Sequence, residues 1–315
     1  MRVGPGPRSP LRALVTAPQQ DEVVEVDVPS GRIVRRLAVP GEPEYAATCC
    51  GPTGEVAIAS PGNGTVTLAG AGTLRPERVL RGFGAPHIIG FAAPADDVDV
   101  TDDARGTLDV IALGSDRVIA RVSVGTGAHH FATSPDGRQI WVALGQSAST
   151  IAVLSTVVRP PAGLRGGFAD PGRPHVVGHF APGFRAHQLL FTPDGRRVWI
   201  TAADRSRVAV FDVRTRRRLF SVPAGAPPQH IAFAGRFAYV TSGYGGRIEQ
   251  VDRATGRVLT VAAAPYGSFE LDAGGGYVVT SSLLRGTLTI YDASLRRRRV
   301  LRVAASAEDV VVSGG

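Results

Sequence analysis

One stretch of the sequence, residues 186–224, constrains the possible fold most strongly, because the rest of the chain repeats its pattern. It contains an apolar run, a Pro193-Asp194-Gly195 tripeptide and three further segments of alternating polarity. Proline presets φ and glycine accepts positive φ, so the tripeptide predicts a tight turn between strands. The stretch therefore predicts four short antiparallel strands. So small a sheet leaves two faces uncovered, and copies of it are expected to pack face to face around an axis.

The unit recurs at intervals of about 40 residues, the spacing expected for one blade of a propeller. Residues 12–39 supply three strands with no inner strand before them, and the segment Glu-Asp-Val-Val-Val at 308–312 is predicted to pair there as the missing one. The fold predicted for residues 1–315 is therefore a single all-β domain. It is a seven-bladed β-propeller of four-stranded antiparallel blades, closed by an N-to-C clasp in the first blade.

Two segments depart from the repeat. Residues 1–8 form a short leader rich in glycine, proline and arginine, with no apolar core of a signal peptide. Residues 156–174 form an insertion in the fourth blade, and their proline and glycine content predicts an irregular loop. This insertion is interpreted either as a contact for a protein partner or a homodimer, or as a tolerated insertion.

Several segments resemble a known repeat. FTPDG at 191–195, VWIT at 198–201 and VAVFD at 208–212 are similar to the YVTN repeat of YncE-like seven-bladed β-propellers, and FAYVT at 237–241 is similar as well. The resemblance implies the propeller fold but no single activity. Relatives of this type include surface proteins, redox-enzyme domains and, among neighbouring propellers, a metal-dependent antibiotic lyase.

Composition narrows the partners and the compartment. The net charge is +8, but the sequence contains no lysine, and all 35 basic residues are arginine. An arginine bias of this kind weakens any argument from charge to nucleic acid, so nucleic acid is not an expected partner. The chain has only two cysteines and no apolar run long enough to span a membrane. We therefore expect a cytoplasmic protein with no membrane contact.

One position of the repeat, the residue that opens each inner strand, carries most of the candidate site. Inner strands of a propeller converge on the axis, so these side chains are expected to meet at one mouth of the channel. Five of the seven histidines in the chain fall at this position or directly after it. From blade one to blade seven the aligned residues are Glu308, Glu44, His87, His129, His187, Gln229 and Ser268, with His130 and His230 directly following.

Three neighbouring imidazoles are typical of a catalytic metal site, because they leave a coordination position open for water or substrate. We therefore expect His87, His129 and His187 to hold a divalent metal ion, with Glu44 or Glu308 moving a proton. The expected function is a metal-assisted enzyme, of lyase, isomerase, cyclase or hydrolase type. Its substrate would be a small polar molecule or secondary metabolite bound at the channel mouth.

The remaining candidates lie beside this ring or on loops that open on the same face. Tyr244, on a glycine-rich loop, is a candidate to stack on a ligand or take part in catalysis. The residues expected to contact substrate are Gln229, Ser268, His130, His230, Arg205 and Arg285.

Two alternatives stay open. The histidines are also compatible with a structural role, in which they hydrogen-bond the adjacent backbone. The chain is also compatible with a noncatalytic scaffold that binds a protein or an anionic partner. Arginine-rich segments at 35–36, 214–218 and 296–299 are expected to gather on the opposite rim, where such a partner would bind.

Overall fold

The protein is described by a computed structural model. Residues 10–49, 54–92, 97–145, 149–157, 171–225 and 227–314 are described below. The predicted leader at 1–8 and most of the predicted insertion at 156–174 lie outside these ranges.

The described residues form seven four-stranded antiparallel sheets, as the sequence predicts. The strands of the first three blades are β1 (Arg12–Ala17), β2 (Glu22–Asp27), β3 (Arg32–Ala38), β4 (Tyr45–Thr48), β5 (Glu55–Ser60), β6 (Thr65–Gly70), β7 (Arg75–Arg81), β8 (Pro86–Phe91), β9 (Asp97–Asp102), β10 (Thr107–Ala112) and β11 (Arg117–Ser123). The fourth and fifth blades contain β12 (Ala128–Thr133), β13 (Gln139–Leu144), β14 (Ile151–Val157), β15 (Pro171–Phe180), β16 (Ala186–Phe191), β17 (Arg197–Ala202), β18 (Arg207–Asp212) and β19 (Arg218–Pro223). The last strands are β20 (Ile231–Ala234), β21 (Phe237–Ser242), β22 (Arg247–Asp252), β23 (Val258–Ala263), β24 (Leu271–Gly274), β25 (Tyr277–Ser282), β26 (Thr287–Asp292), β27 (Arg297–Arg302) and β28 (Val310–Ser313).

Burial follows the position of a strand within its blade. The second strand of every blade is buried over five consecutive residues, because neighbouring blades cover both of its faces. The outer strands consist of exposed and partly buried residues. Large side chains fill the space between blades: the Trp141 ring lies 5.5 Å from that of Phe191 in the next blade.

The first blade draws its strands from two distant parts of the sequence. Its order is β28-β1-β2-β3, and β28 pairs antiparallel with β1, with Val310 opposite Val15. This pairing carries Glu308 and Asp309 to the axis beside the second blade.

Paired strands extend into the segment expected to be an irregular insertion. Strand β14 ends at Val157 and strand β15 begins at Pro171, and Val157 lies opposite Pro171 in their register. The outer strand of the fourth blade therefore starts before His175, where the sequence pattern placed it.

Within the described ranges, no helix is long and apolar enough to cross a bilayer.

Candidate metal centre at the axial mouth

A repeated hydrogen bond holds the residues that open the inner strands. The hydroxyl group of a threonine in the second strand of one blade donates to the main-chain carbonyl of the opening residue in the next blade. Thr16 donates in this way to Glu44 over 2.7 Å, Thr101 to His129 over 2.7 Å and Thr201 to Gln229 over 2.9 Å. The same contacts join Thr241 to Phe269 and Ser281 to Glu308. These bonds identify five of the seven opening residues directly.

The ring differs from the predicted one in the seventh blade. The hydroxyl of Thr241 reaches the carbonyl of Phe269, so Phe269 and not Ser268 opens that inner strand. Ser268 is fully buried, and it is Phe269 that lines the axial cavity. The prediction for Ser268 was one residue out of register. Counting two residues back from the first apolar residue of the strand, Leu271, would have given Phe269, just as it gives Gln229 from Ile231.

The histidines of blades three to six lie together at the axis. The rings of His87 and His129 stack with their centroids 3.9 Å apart, and the rings of His130 and His187 meet edge to face at 4.2 Å. His230 joins them, its ring 5.0 Å from that of His130. The ring register thus brings together all five histidines that the sequence singled out.

Two groups of side chains have ligand atoms that all lie within 4.8 Å of one another. One is His129, His130 and His187, and the other is His87, Asp103 and His129. The predicted trio of His87, His129 and His187 is not such a group among the described residues. His129 belongs to both groups.

Asp103 is a site residue that the sequence analysis missed. Its Oδ2 atom lies 2.8 Å from Nδ1 of His129. Asp103 follows β9, whereas His129 belongs to the next blade, so no local motif links them. Only the blade-to-blade offset of a propeller brings the two together.

Burial keeps the imidazoles of His87, His130, His187 and His230 neutral. Loss of solvation, and then the neighbouring histidines, hold the pKa of His87, His130 and His187 well below the usual value. Burial lowers the pKa of His230 to about 3. A neutral imidazole has a lone pair on one ring nitrogen, which is the form that binds metal ions.

A second layer of side chains lies directly beneath the ring. His230 contacts Glu270 through Nδ1 and Oε2, and the hydroxyl of Tyr45 donates to Oε1 of Glu270 over 3.2 Å. Burial raises the pKa of Glu270 well above its usual range. The ring nitrogens Nε2 of His130 and His230 are buried and have no hydrogen-bond partner among the described residues.

A cavity of about 470 Å³ opens above this layer. Its polar lining includes the carboxyl groups of Glu44 and Glu308 beside His87, His129 and His187. Burial raises the pKa of Glu44, and burial followed by the nearby carboxyl groups raises that of Glu308 to about 8. Glu308 can therefore gain or lose a proton near neutral pH.

The other residues predicted to contact substrate or take part in catalysis differ in their positions relative to the cavity. Gln229 lines the cavity, but its Oε1 atom accepts a hydrogen bond from the Gly243 amide. Tyr244 lines the cavity and is 55% exposed. Arg205 and Arg285 are exposed and do not belong to the described cavity lining, which instead includes Arg185.

Several arginines of the opposite rim are paired with carboxylates. Arg35 lies 2.6 Å from Glu25, and Arg298 lies 2.8 Å from Asp292. A separate groove of about 1030 Å³ is lined by Arg196, Arg214 and Arg216 together with residues of β14 and β15.

Fold and site together define a seven-bladed β-propeller with histidines and carboxyl groups around one axial mouth. No protein-family model and no curated protein sequence matches the chain.

Solved structures share its fold. A functionally unknown protein from Desulfotomaculum acetoxidans superposes with a TM-score of 0.80 at 13% identity, over 96% of this chain and 98% of that one. Hydrazine synthase from Kuenenia stuttgartiensis superposes with a TM-score of 0.75 at 13% identity, over 94% and 99%. Apo AztD from Citrobacter koseri gives 0.70 at 13% identity, over 98% and 99%. At such identity the likeness shows the fold alone.

Proposed function

We propose that this protein binds a divalent transition-metal ion at the axial mouth through His129, His130 and His187. The observation that carries the proposal is the approach of one ligand atom from each of these three residues to within 4.8 Å of the others. Imidazole is a common ligand of zinc, copper, nickel and iron. His130 therefore takes the place that the sequence analysis gave to His87.

The surroundings of the three histidines fit a metal ligand set. The buried Nε2 atom of His130 has no hydrogen-bond partner among the described residues, so it can serve as a ligand atom. Asp103 engages Nδ1 of His129, which leaves Nε2 of that ring to bind a metal. A carboxylate behind a histidine is the usual way in which a metal-ligating imidazole is oriented.

We further propose that the site belongs to an enzyme acting on a small molecule. A metal held by three imidazoles supplies Lewis-acid chemistry and an open coordination position. The cavity of about 470 Å³ is of a size that holds a small molecule. Glu308, with its pKa of about 8, supplies a group that can donate a proton or accept one at neutral pH. These features support a lyase, isomerase, cyclase or hydrolase step.

Elemental analysis of the untagged protein tests the metal proposal. We expect close to one zinc, copper, nickel, iron or manganese ion per chain after supplementation, and its loss in H129A. The matched control is H179A, because His179 is exposed on β15 in the outer part of the fourth blade. Metal retained in H129A, or no metal in the wild-type protein, would overturn the proposal.

A second set of variants separates the two candidate ligand groups. H130A and H187A are expected to lose the metal, whereas H87A is expected to keep it. Loss in H87A with retention in H130A would instead favour the group of His87, Asp103 and His129.

The groove at Arg196, Arg214 and Arg216 supports a second candidate function, a scaffold for an anionic partner. Binding through these cations would weaken steeply with salt, because their Coulombic attraction is screened. Retention of the wild-type protein on heparin, lost in a variant with all three arginines changed to alanine, would support it. Equal retention of the two proteins would count against it.

Two broader expectations also remain proposals. The repeat at 191–195 and 198–201 supports membership of the YVTN-type propellers. The scarcity of cysteine supports a cytoplasmic location.

A further inference from the structure

An apolar wall forms one part of the cavity that the histidines line. It consists of Tyr244, Phe269 and Leu283, and it lies on blades six and seven. The rings of Tyr244 and Phe269 pack with their centroids 4.8 Å apart and their planes tilted by 59°. A large aromatic side chain that is 55% exposed leaves much of its apolar surface in contact with water.

The wall is held in place by the backbone beneath it. Tyr244 lies in a 3-10 turn, Gly243–Gly245. The amide of Gly243 donates to Oε1 of Gln229 over 2.8 Å, and its carbonyl accepts from the amide of Gly267 over 3.0 Å. Gln229 is thereby a positioning residue for the turn that presents Tyr244.

Close packing fixes the Phe269 ring as well. A Cβ atom added to Gly243 would lie 2.2 Å from Cδ1 of Phe269, so only glycine lets this ring lie against the turn. Leu283, the third residue of the wall, is held by the same loops, because its amide donates to the carbonyl of Gly267 over 3.0 Å. Three loops thus converge on one apolar surface, which faces the same cavity as the imidazoles of His87, His129 and His187.

We infer that the ligand of this cavity has two parts: a polar, metal-binding head and an aromatic ring that packs on the apolar wall. The metal-binding head rests on the function proposed above, whereas the aromatic ring rests on the wall alone. Aromatic rings stack in offset or edge-to-face geometry at centroid distances of about 4.5–7 Å, and an exposed tyrosine beside a phenylalanine offers such a surface. The substrate class is therefore an aromatic compound with a metal-binding head group, and not a small polar molecule alone.

The first experiment uses the zinc-loaded protein with two hydroxamates that share a zinc-binding head. Benzohydroxamate carries a phenyl ring and acetohydroxamate a methyl group. We expect calorimetry to give a Kd for benzohydroxamate about ten- to a hundredfold below that for acetohydroxamate, because the phenyl ring is buried on the wall. In Y244A this preference should fall by about fivefold or more. Equal affinity for both hydroxamates in the wild-type protein would overturn the inference.

Leu284 provides the matched control. It is another apolar side chain near the same mouth, 51% exposed, but it does not belong to the cavity lining. L284A should keep the wild-type preference for benzohydroxamate. An equal loss of preference in Y244A and L284A would mean that the effect is not one of the cavity wall.

A second experiment examines the wall in the absence of metal. Saturation-transfer NMR with phenol and the metal-free protein should give a signal that drops in Y244A and persists in L284A. If zinc does not bind but this pattern holds, the metal proposal fails and the aromatic part of the inference stands. If phenol gives the same signal with all three proteins, the wall binds no aromatic ring and the inference fails.

Discussion

The carboxylate of Asp103, at the end of the third blade's second strand, lies 2.8 Å from the ring of His129 in the fourth blade. The contact joins two blades and engages Nδ1 of His129. It therefore leaves Nε2 as the ring nitrogen that is available for another partner. A carboxylate in this position orients a metal-ligating imidazole and raises its basicity.

Replacing Asp103 by asparagine should therefore weaken metal binding without removing a ligand. We expect D103N to lower metal affinity by about ten- to a hundredfold, the usual cost of losing such a partner. Competition with a chromogenic chelator measures this. The control is D204N, a carboxylate on the loop after the second strand of the fifth blade that lies 3.9 Å from Arg205. Unchanged affinity in D103N would show that Asp103 does not orient His129.

The hydroxyl of Thr101 provides a second test, because it serves two backbone groups. It donates to the carbonyl of His129 over 2.7 Å and accepts from the amide of Ile88 over 3.1 Å. T101V would leave both groups unpaired in a buried place, and we expect a loss of about 1–3 kcal/mol in the free energy of unfolding. Urea denaturation measures it.

The matched control for this loss is S60A. Ser60 is fully buried, and its hydroxyl has no hydrogen-bond partner among the described residues. S60A is therefore expected to change stability little. A loss in S60A as large as that in T101V would mean that packing, and not the hydrogen bonds, accounts for the effect.

Glu270 should stabilise the protein as a neutral hydrogen-bonding group. Burial raises its pKa well above the usual range, and both of its oxygens have partners, in Tyr45 and His230. E270Q keeps a neutral group of the same shape, so it should unfold within about 1 kcal/mol of the wild type. E270A should lose about 2–4 kcal/mol, because it leaves a cavity and two polar side chains without their partner. Equal losses in the two variants would contradict this account.

Asp99 predicts a pH dependence of stability. It is 2% exposed, and burial raises its pKa from 3.8 to about 7. Well below about pH 4 the carboxyl is protonated in both the folded and the unfolded state, so its ionisation makes no contribution to the free energy of unfolding. As the pH rises from about 4 to 7, the unfolded chain releases this proton before the folded one does, and the folded state loses up to about 4 kcal/mol. D99N should therefore be more stable than the wild type at pH 8 and equal to it at pH 3.

Asp136 should show the opposite sign. A hydrogen bond from the Ser134 hydroxyl lowers its pKa, so its contribution is present at neutral pH and lost as the pH falls through the lowered pKa. D136N should consequently lose stability at pH 7, and this loss should shrink as the pH falls. Denaturation curves of both variants across this range measure the two trends together.

The fold and the ring of opening residues could be predicted from the sequence because both follow from repetition. The same pattern of turn and strands occurs in every blade, and it places Glu44, His87, His129 and His187 at one height of the axis. Ser268 was misplaced because blade seven was aligned on its glycine turn and not on the apolar residues of the strand, where pairing fixes the register.

The relative positions of side chains from different blades could not be read from a repeat. Which ring nitrogens meet depends on side-chain rotation: the ring of His87 stacks on that of His129, whereas the ring of His130 meets that of His187. Asp103 and Glu270 were missed for the same reason, since each contacts a histidine of another blade. Gln229 lines the cavity, but its side-chain oxygen accepts a hydrogen bond from the Gly243 turn, a contact that no spacing in the sequence indicates.

The hydroxyl groups that span from blade to blade hold main-chain carbonyls and not side chains. The same bond therefore accommodates glutamate at 44, histidine at 129, glutamine at 229 and phenylalanine at 269. The main chain thus holds the mouth in place, whereas the side chains determine what it can bind. A substitution at one of these positions can change what the mouth binds while the blades stay in register, so new specificities can arise here one residue at a time.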